Sequence, residues 1–413
     1  MNVLWLNVTE PFNYNKNDGF IGGWQDSLES IVSRCNEINL SIAFTSPSLK
    51  QPKKINRVQY IPIFTKYTFI DKIKKLVSWD ADAKIITSAV KKIIEETKPD
   101  IIHVFGTEWP FGLIKKYTNI PVVIHIQGSI VEYNKFLYPP NYNFLDLVFE
   151  NRLNFRTLVE NLFQPFLNHS RYQMEKEIWR INNFYMGRTN WDFQLSSKMH
   201  PNRIYFHVDE ALREPFTKGP HHWQYKASTK TILFSTGCST FWKAPNLLLK
   251  TAKLLKEKGF DFEWHIAGFM PAHLKNTVER KEHTTFEANK IIFLGWQTAE
   301  QIQQELLYSS LYIHNAYIEN SPNSICEAQI IGAPVISTDV GGIPSLIENE
   351  QTGFLVPINA PLIMAEKIIS TAHNKELLCK VSENARKKAI QRHDEKTILD
   401  QLLYCYNTII SHK

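Results

Sequence analysis

The chain alternates short apolar runs with amphipathic stretches twice over. In the first half, "NVLWLNV" reads as a strand, a glycine-rich loop occupies 19 to 23, and "WQDSLESIVSRCNE" has helical spacing. "LSIAFTS" is the next strand, a helix over roughly 82 to 97 runs into the strand of "PDIIHVFG", and "IPVVIHIQG" follows. Residues 130 to 182 break the rhythm. They are rich in Tyr, Phe and Leu and lack strand punctuation, which predicts two or three inserted helices. "INNFYMG" returns to strand, Thr189 or Asn190 caps the helix of "WDFQLSSKM", and "RIYFHVD" ends the series.

Residues 209–228, with Pro215, Gly219, Pro220 and a His pair, have the composition of a linker. A second series then begins with "TILFSTG" as a strand and "APNLLLKTAKLLKEKG" as a helix ending at Gly259. The predicted class is α/β, with two Rossmann-like doubly wound domains facing a central cleft. The first domain covers 1–208 with its helical insertion at about 130–182, the second covers 229–390, and a last helix within 391–413 packs back on the first.

The stretch "ENSPNSICEAQIIGAPVISTDVGG" concentrates the chemistry. "SSLYIHNAY" before it is a strand, Ser321 or Asn323 caps a helix that Pro322 helps to start, Gly332 stops that helix, and "PVISTDV" is a buried parallel strand. Such a βαβ unit puts Glu319 at the carboxyl end of a strand and Glu327 about one turn into the helix, on the crevice that open α/β sheets use for ligands. Carboxylates accept from paired hydroxyls, and a helix start meets an anion. A nucleotide sugar contains both groups.

Composition narrows the setting. The 413 residues, 43% hydrophobic and 21% charged, suit two soluble domains. No apolar run approaches the ~20 residues that span a bilayer. The N-terminus enters a strand at once, without a secretory signal, so a cytoplasmic protein is expected. Five scattered cysteines, with no C-x-x-C pair, argue against disulfides and structural zinc. The net charge of +6 lies in one place: residues 50 to 98 hold twelve Lys or Arg against five acids, interleaved with Tyr60, Phe64, Tyr67, Phe69 and Trp79. This stretch suits either an anionic membrane surface, which would make the protein peripheral at the inner face of the cytoplasmic membrane, or a solvated face with its aromatics turned inward. Nucleic acid is not an expected partner.

The ordered series in the second domain resembles the retaining glycosyltransferases of family 4, which have the GT-B fold. It comprises Gly237 and Lys243 after a strand, "IAG" at 266 to 268, "IIFLGW" at 291 to 296, Glu319 and Glu327 at E-x7-E spacing, "GAPVISTDVGGIP" and "TGFLV". In the first domain "GFIGGWQDSLE", "PDIIHVFG", "VVIHIQG" and "MGRTNWD" are similar to the family's elements. The resemblance implies that Glu327 binds the ribose diol, that Glu319 binds hydroxyls of the donor sugar, and that Lys243 holds the diphosphate as a point charge. It also implies that Asn323, Ser324 and Ile325 face sugar and phosphate, that Gly22, Gly23 and Gly237 let the backbone approach, and that Trp296 offers a face to the base.

The sequence departs from the family in two places. The Arg expected five or six residues before the Lys falls on Cys238 or Gly237, and Gln127 replaces the His of the "HG" element. Losing one preorganised charge at a leaving diphosphate costs roughly 3 kcal/mol of barrier. Arg188, at a strand end, is either a replacement cation or a structural arginine, and His103 and His125 read as core or strand-end residues. The implied reaction is metal-independent transfer of a glycosyl unit, with retention, from a UDP- or GDP-linked sugar to a hydroxyl of a glycan or polyprenyl-linked glycan, as in bacterial surface polysaccharide synthesis. No cofactor is expected. "DAD" at 80 to 82 is set aside as a metal motif because it lies in a basic helical stretch. The rivals are a nucleotide-sugar epimerase and a catalytically weak nucleotide-sugar- or glycan-binding subunit.

Overall fold

The computed structural model describes residues 1–15, 23–146, 155–219 and 221–412. The chain divides into two compact units, one of residues 1–134, 159–211 and 393–413, the other of residues 135–158 and 212–392. Among the described residues, no helix is long and apolar enough to cross a membrane.

The first unit is built on eight strands: β1 (Asn2–Asn7), β2 (Asn39–Ser46), β3 (Lys53–Ile55), β4 (Val58–Phe64), β5 (Ile101–Phe105), β6 (Val122–His125), β7 (Phe184–Gly187) and β8 (Ile204–His207). Their order is 3-4-2-1-5-6-7-8, parallel except for β3, which pairs antiparallel with β4 at the edge. Strand β1 explains why both faces are covered. Val3 and Trp5 point to one side and pack with Ile398, Leu402 and Tyr406 of the last helix, Glu395–Ser411. Leu4 and Leu6 point to the other and meet Ile86 and Val90 of the helix Asp80–Thr97. A strand apolar at every position from Val3 to Leu6 is therefore buried on both faces, as parallel sheets require. His103 and His125 lie in this core, fully buried and stacked at 5.3 Å, and the Tyr406 hydroxyl reaches His103 Nδ1 at 2.6 Å. Burial alone pushes His103 down to about 3, so it stays a neutral core residue at physiological pH.

The second sheet comprises β9 (Thr231–Thr236), β10 (Phe262–Ala267), β11 (Ile291–Gly295), β12 (Leu311–His314), β13 (Val335–Thr338) and β14 (Phe354–Val356). It is parallel throughout, in the order 11-10-9-12-13-14. In each sheet the order reverses beside the first strand of the unit, between β1 and β5 in one and between β9 and β12 in the other. Open α/β sheets bind ligands at such switch points.

The structure revises two sequence expectations about chain segments. The expected linker of 209–228 is not free: residues 209–211 belong to the first unit and the rest to the second. Trp223 is buried, its backbone N–H donates to Ile331 O at 2.8 Å, and its indole N–H donates to Ser309 O at 2.7 Å, so this part folds onto the second unit. The two or three helices expected at 130–182 appear as a short helix, Ile130–Tyr133, and a long one, Phe155–Ile181, with 147–154 outside the described residues, but the segment is not wholly an insertion in the first domain, since 135–158 belong to the second unit. Tyr142 and Asp146 between them belong to the second unit, where the Tyr142 hydroxyl donates to Glu282 at 2.6 Å and Asp146 pairs with Lys281 at 3.3 Å. Asp80 and Asp82 of "DAD" sit in a helical first turn, and Asp82 is engaged by the Tyr67 hydroxyl at 2.6 Å and Lys75 at 3.1 Å.

Candidate functional site

In the second unit, the chain leaving β9 turns at Gly237, with φ of +74°, forms a short 3-10 turn over Phe241–Lys243, and enters the helix Pro245–Glu257. This delivers Lys243 to the carboxyl end of the sheet. The chain leaving β12 runs through Glu319 to the helix Asn323–Ile331. Its cap differs from the expected one: Pro322 is the N-cap and no side chain caps the helix, while Ile325 N–H donates back to the Pro322 carbonyl at 3.0 Å. Gly332 ends the helix in the left-handed conformation, as predicted.

Lys243 Nζ forms an ion pair with Glu319 Oε1, and His314 Nε2, at the last residue of β12, lies 3.6 Å from the same oxygen. Burial alone would raise the Glu319 carboxyl, but Lys243 and His314 overcome it and hold the group down at about 2. His314 is itself pushed down by burial against the pull of Glu319. The result is a permanent carboxylate beside an ammonium that is still partly exposed. Gly341, with φ of +55°, closes the loop. A Cβ there would run into the Glu319 carbonyl oxygen, which accepts from Gly342 N–H at 3.0 Å.

Glu327 is buried and gripped bidentately by Arg213, with Nε to Oε1 at 2.7 Å and Nη2 to Oε2 at 2.8 Å. Burial pushes its carboxyl up and the Arg213 fork opposes that. The pair leaves the carboxylate oriented, with lone pairs still able to accept from hydroxyls. Ser324 interacts with the Tyr312 hydroxyl, which also reaches Thr236 Oγ1 at 2.7 Å, so the helix start is tied to both central strands. The Asn323 and Ser324 side chains are half-buried. Ile325 is fully buried in the core, so only its backbone stands at the helix start. Trp296 is 79% exposed, just beyond β11. Cys238 is a core residue whose thiol burial pushes up to about 12, which leaves it without ionic chemistry near neutral pH.

In the first unit, a cavity of about 530 Å³ lies at the switch point of the sheet, lined by residues following β1, β5 and β6, among them Gly23, Trp24, Glu108, Trp109 and Gln127. Gly22 lies outside the described residues. Gly23 is the N-cap of the helix Trp24–Val32, and its N–H donates to Asp26 Oδ2 at 2.7 Å. Arg188 is not free in the cavity; it is buried, with its guanidinium over the Trp24 ring at 4.7 Å. Glu108 carries the most perturbed chemistry of the cavity lining. Burial and the nearby Glu175 push its carboxyl up to about 7, against the charge of Arg171. A Cβ on Gly106 or Gly128 would strike its carboxylate oxygens. Glu175 is fully buried and satisfied, accepting from Thr107, Ser129 and the first amides of the helix Ile130–Tyr133.

Of the residues named from sequence, the structure brings Lys243 to Glu319 and sets Glu327 on the helix Asn323–Ile331. Arg213, in the supposed linker, and His314 and Glu108 are not among those named for the site. For the last two the signal was positional: each is a titratable residue at, or just beyond, the carboxyl end of a central strand.

Two α/β units, each with its site at the switch point of a parallel sheet, define the GT-B class of fold found in glycosyltransferases. Sucrose-phosphate synthase from Thermosynechococcus elongatus matches over 100% of both chains with a TM-score of 0.75 at 12% identity. HepE from Anabaena, solved with UDP and glucose, matches over 99% of this chain and 100% of that one with a TM-score of 0.66 at 14% identity. At such identities the likeness is one of fold. Residues 219–388 match the family model of glycosyl transferases group 1. Its capsular polysaccharide biosynthesis relative CapM from Staphylococcus aureus is 24% identical over 165 residues, 40% of this chain and 42% of that protein. The chain spans less than half the length of the first curated relatives that it matches, 42–44%.

Proposed function

We propose that this chain is a retaining, metal-independent glycosyltransferase of bacterial surface polysaccharide synthesis, moving a sugar from a UDP- or GDP-linked donor to a hydroxyl of a glycan or lipid-linked glycan. The observation that carries the reading is the cluster at the carboxyl ends of β9 and β12. There an ammonium (Lys243), a fixed carboxylate (Glu319) and an imidazole (His314) stand beside a helix start. Glu327, oriented by Arg213, accepts the ribose diol. Glu319 accepts hydroxyls of the donor sugar while Lys243 turns to the diphosphate. The glycosidic C–O bond to the diphosphate breaks, the acceptor oxygen bonds to the same carbon on the same face, and its proton passes to the departing phosphate oxygen. Charge builds on that phosphate, so the groups that stabilise it, Lys243 and the helix amides, lower the barrier. The cavity of the first unit offers Trp24 and Trp109 as ring faces and Glu108 and Gln127 as hydroxyl partners for the acceptor.

Thermal unfolding with UDP, GDP and their sugar conjugates, with and without EDTA, tests the donor half of this reading. We expect a shift selective for one base, indifferent to EDTA and lost in Glu327→Ala. Lys243→Ala should keep the shift with nucleoside alone and lower the transfer rate about 10²–10³-fold. NMR of the product anomer tests retention. No shift with any nucleotide would overturn the donor assignment.

A further inference from the structure

A short helix in the first unit, Phe69–Lys74, buries none of its own side chains. Yet half of it is large and apolar: Phe69 is 78% exposed, Ile70 63% and Ile73 53%, and Val77 just beyond is exposed too. The helix is nevertheless well anchored. Thr68 and Asp71 form a capping box at its start, and Tyr67 and Lys75 on either side are both held by Asp82. Ordered apolar side chains with nothing over them mark a surface that meets something else.

The patch extends onto a second element. Ser78 and Trp79, which follow the short helix, are hydrogen-bonded to Ser170 of the long helix Phe155–Ile181 at 3.4 and 3.1 Å. Four and seven residues before Ser170, on the same helical face, stand Phe166 and Phe163, in ring contact at 6.5 Å and both exposed, with Leu162 exposed beside them. Two apolar sets thus flank one hydrogen-bonded junction.

Charge decides what covers them. Lys66, Lys72 and Lys74 are exposed among these apolar side chains and form no ion pair among the described residues. Of the nearby acids, Asp71 is engaged in the capping box and Asp82 with Tyr67 and Lys75, which leaves Asp80 as the exposed acid against the three lysines. Unpaired ammonium groups interleaved with protruding Phe and Ile fit an anionic bilayer, where the rings enter the headgroup boundary and the lysines meet lipid phosphates. We propose that the first unit docks on anionic membranes through Phe69, Ile70 and Ile73, fringed by Lys66, Lys72 and Lys74, with Phe163 and Phe166 completing the contact.

The test is flotation of the full chain, without nucleotide, on phosphatidylcholine vesicles and on vesicles of equimolar phosphatidylcholine and phosphatidylglycerol. Because no nucleotide is present, the outcome is independent of the transferase reading. The expected result is binding to the mixed vesicles only, weakened by salt. Lys72→Ala/Lys74→Ala should lose about 25-fold in affinity, roughly fivefold per lysine, and Phe69→Ser/Ile73→Ser about tenfold or more. Near-ultraviolet circular dichroism should be unchanged in both variants, since the replaced side chains bury nothing. Hydrogen exchange on the wild-type chain should slow at 66–79 when mixed vesicles are added. Three results would overturn the proposal. The wild type could fail to bind mixed vesicles at low salt, the variants could bind as the wild type does, or a self-associated form could dissociate in Phe69→Ser/Ile73→Ser while vesicles are ignored, which would make a second copy the occupant.

Discussion

Glu319 and Glu108 are both partly screened from water, yet their protons behave in opposite ways, and stability should record it. Glu319 is held down at about 2 from an ordinary 4.5, so its contribution is full above pH 4.5 and is lost as pH falls toward 2. Glu108 is pushed up to about 7, so between pH 4.5 and 7 the folded chain keeps a proton that the unfolded chain has released. Its effect is a stability loss that grows as pH rises through that window and persists above it. Urea midpoints across pH should therefore separate the two. The deficit of Glu319→Gln against wild type should shrink as the pH falls below 4.5. Glu108→Gln should gain on wild type between pH 4.5 and 7. A Glu108→Gln curve parallel to wild type throughout would show that the carboxyl titrates normally. The local pattern carried Glu319 and Glu327 because they sit on one loop and helix whose spacing is itself the signal, whereas Lys243, on the turn after β9, was legible only through the family resemblance. Arg213 and His314 acquire their roles only when β12, the helix after it and a segment a hundred residues upstream converge, and no local pattern records that convergence.

The element that organises the donor half is β12, loop, helix, β13, and its strictest requirement is a glycine. Gly341 takes a left-handed φ, and a side chain there would occupy the place of the Glu319 carbonyl oxygen. Gly341→Ala must therefore move the loop that carries Glu319, strain the backbone, or both. The expected cost is about 3 kcal/mol in urea unfolding, together with loss of the nucleotide-dependent thermal shift. An alanine variant with full stability and an undiminished shift would mean that the loop is not held by this approach. Strands and helices with strong periodicity were readable here, including Gly332 as a stop. What escaped were the elements without period: the β3–β4 hairpin, which turns at Asn56 with φ of +54°, and residues 212–228, whose Pro and Gly suggested a linker while Trp223 and Phe216 anchored them to a core.

Two units, each with its own sheet, packed core and switch point, imply that a nucleotide bound at the second should stabilise that unit. The alternation of apolar runs was enough to predict two doubly wound sheets, because strands buried on both faces can be little but apolar. Calorimetry can test the assignment of the donor if the transitions are first identified. Leu402 is fully buried in the core of the first unit, and Leu402→Ala should lower that unit's transition by the cost of a cavity, about 2–5 kcal/mol. The cognate nucleotide at about 100 times its dissociation constant should then add about 2.7 kcal/mol to the other transition, a shift of roughly 5–11 °C for a unit of this size. The same increment should appear in Leu402→Ala, because the substituted core and the donor residues share no partner. A nucleotide shift confined to the transition that Leu402→Ala lowers would place the donor in the first unit, and Lys243, Glu319 and Glu327 would then need another role.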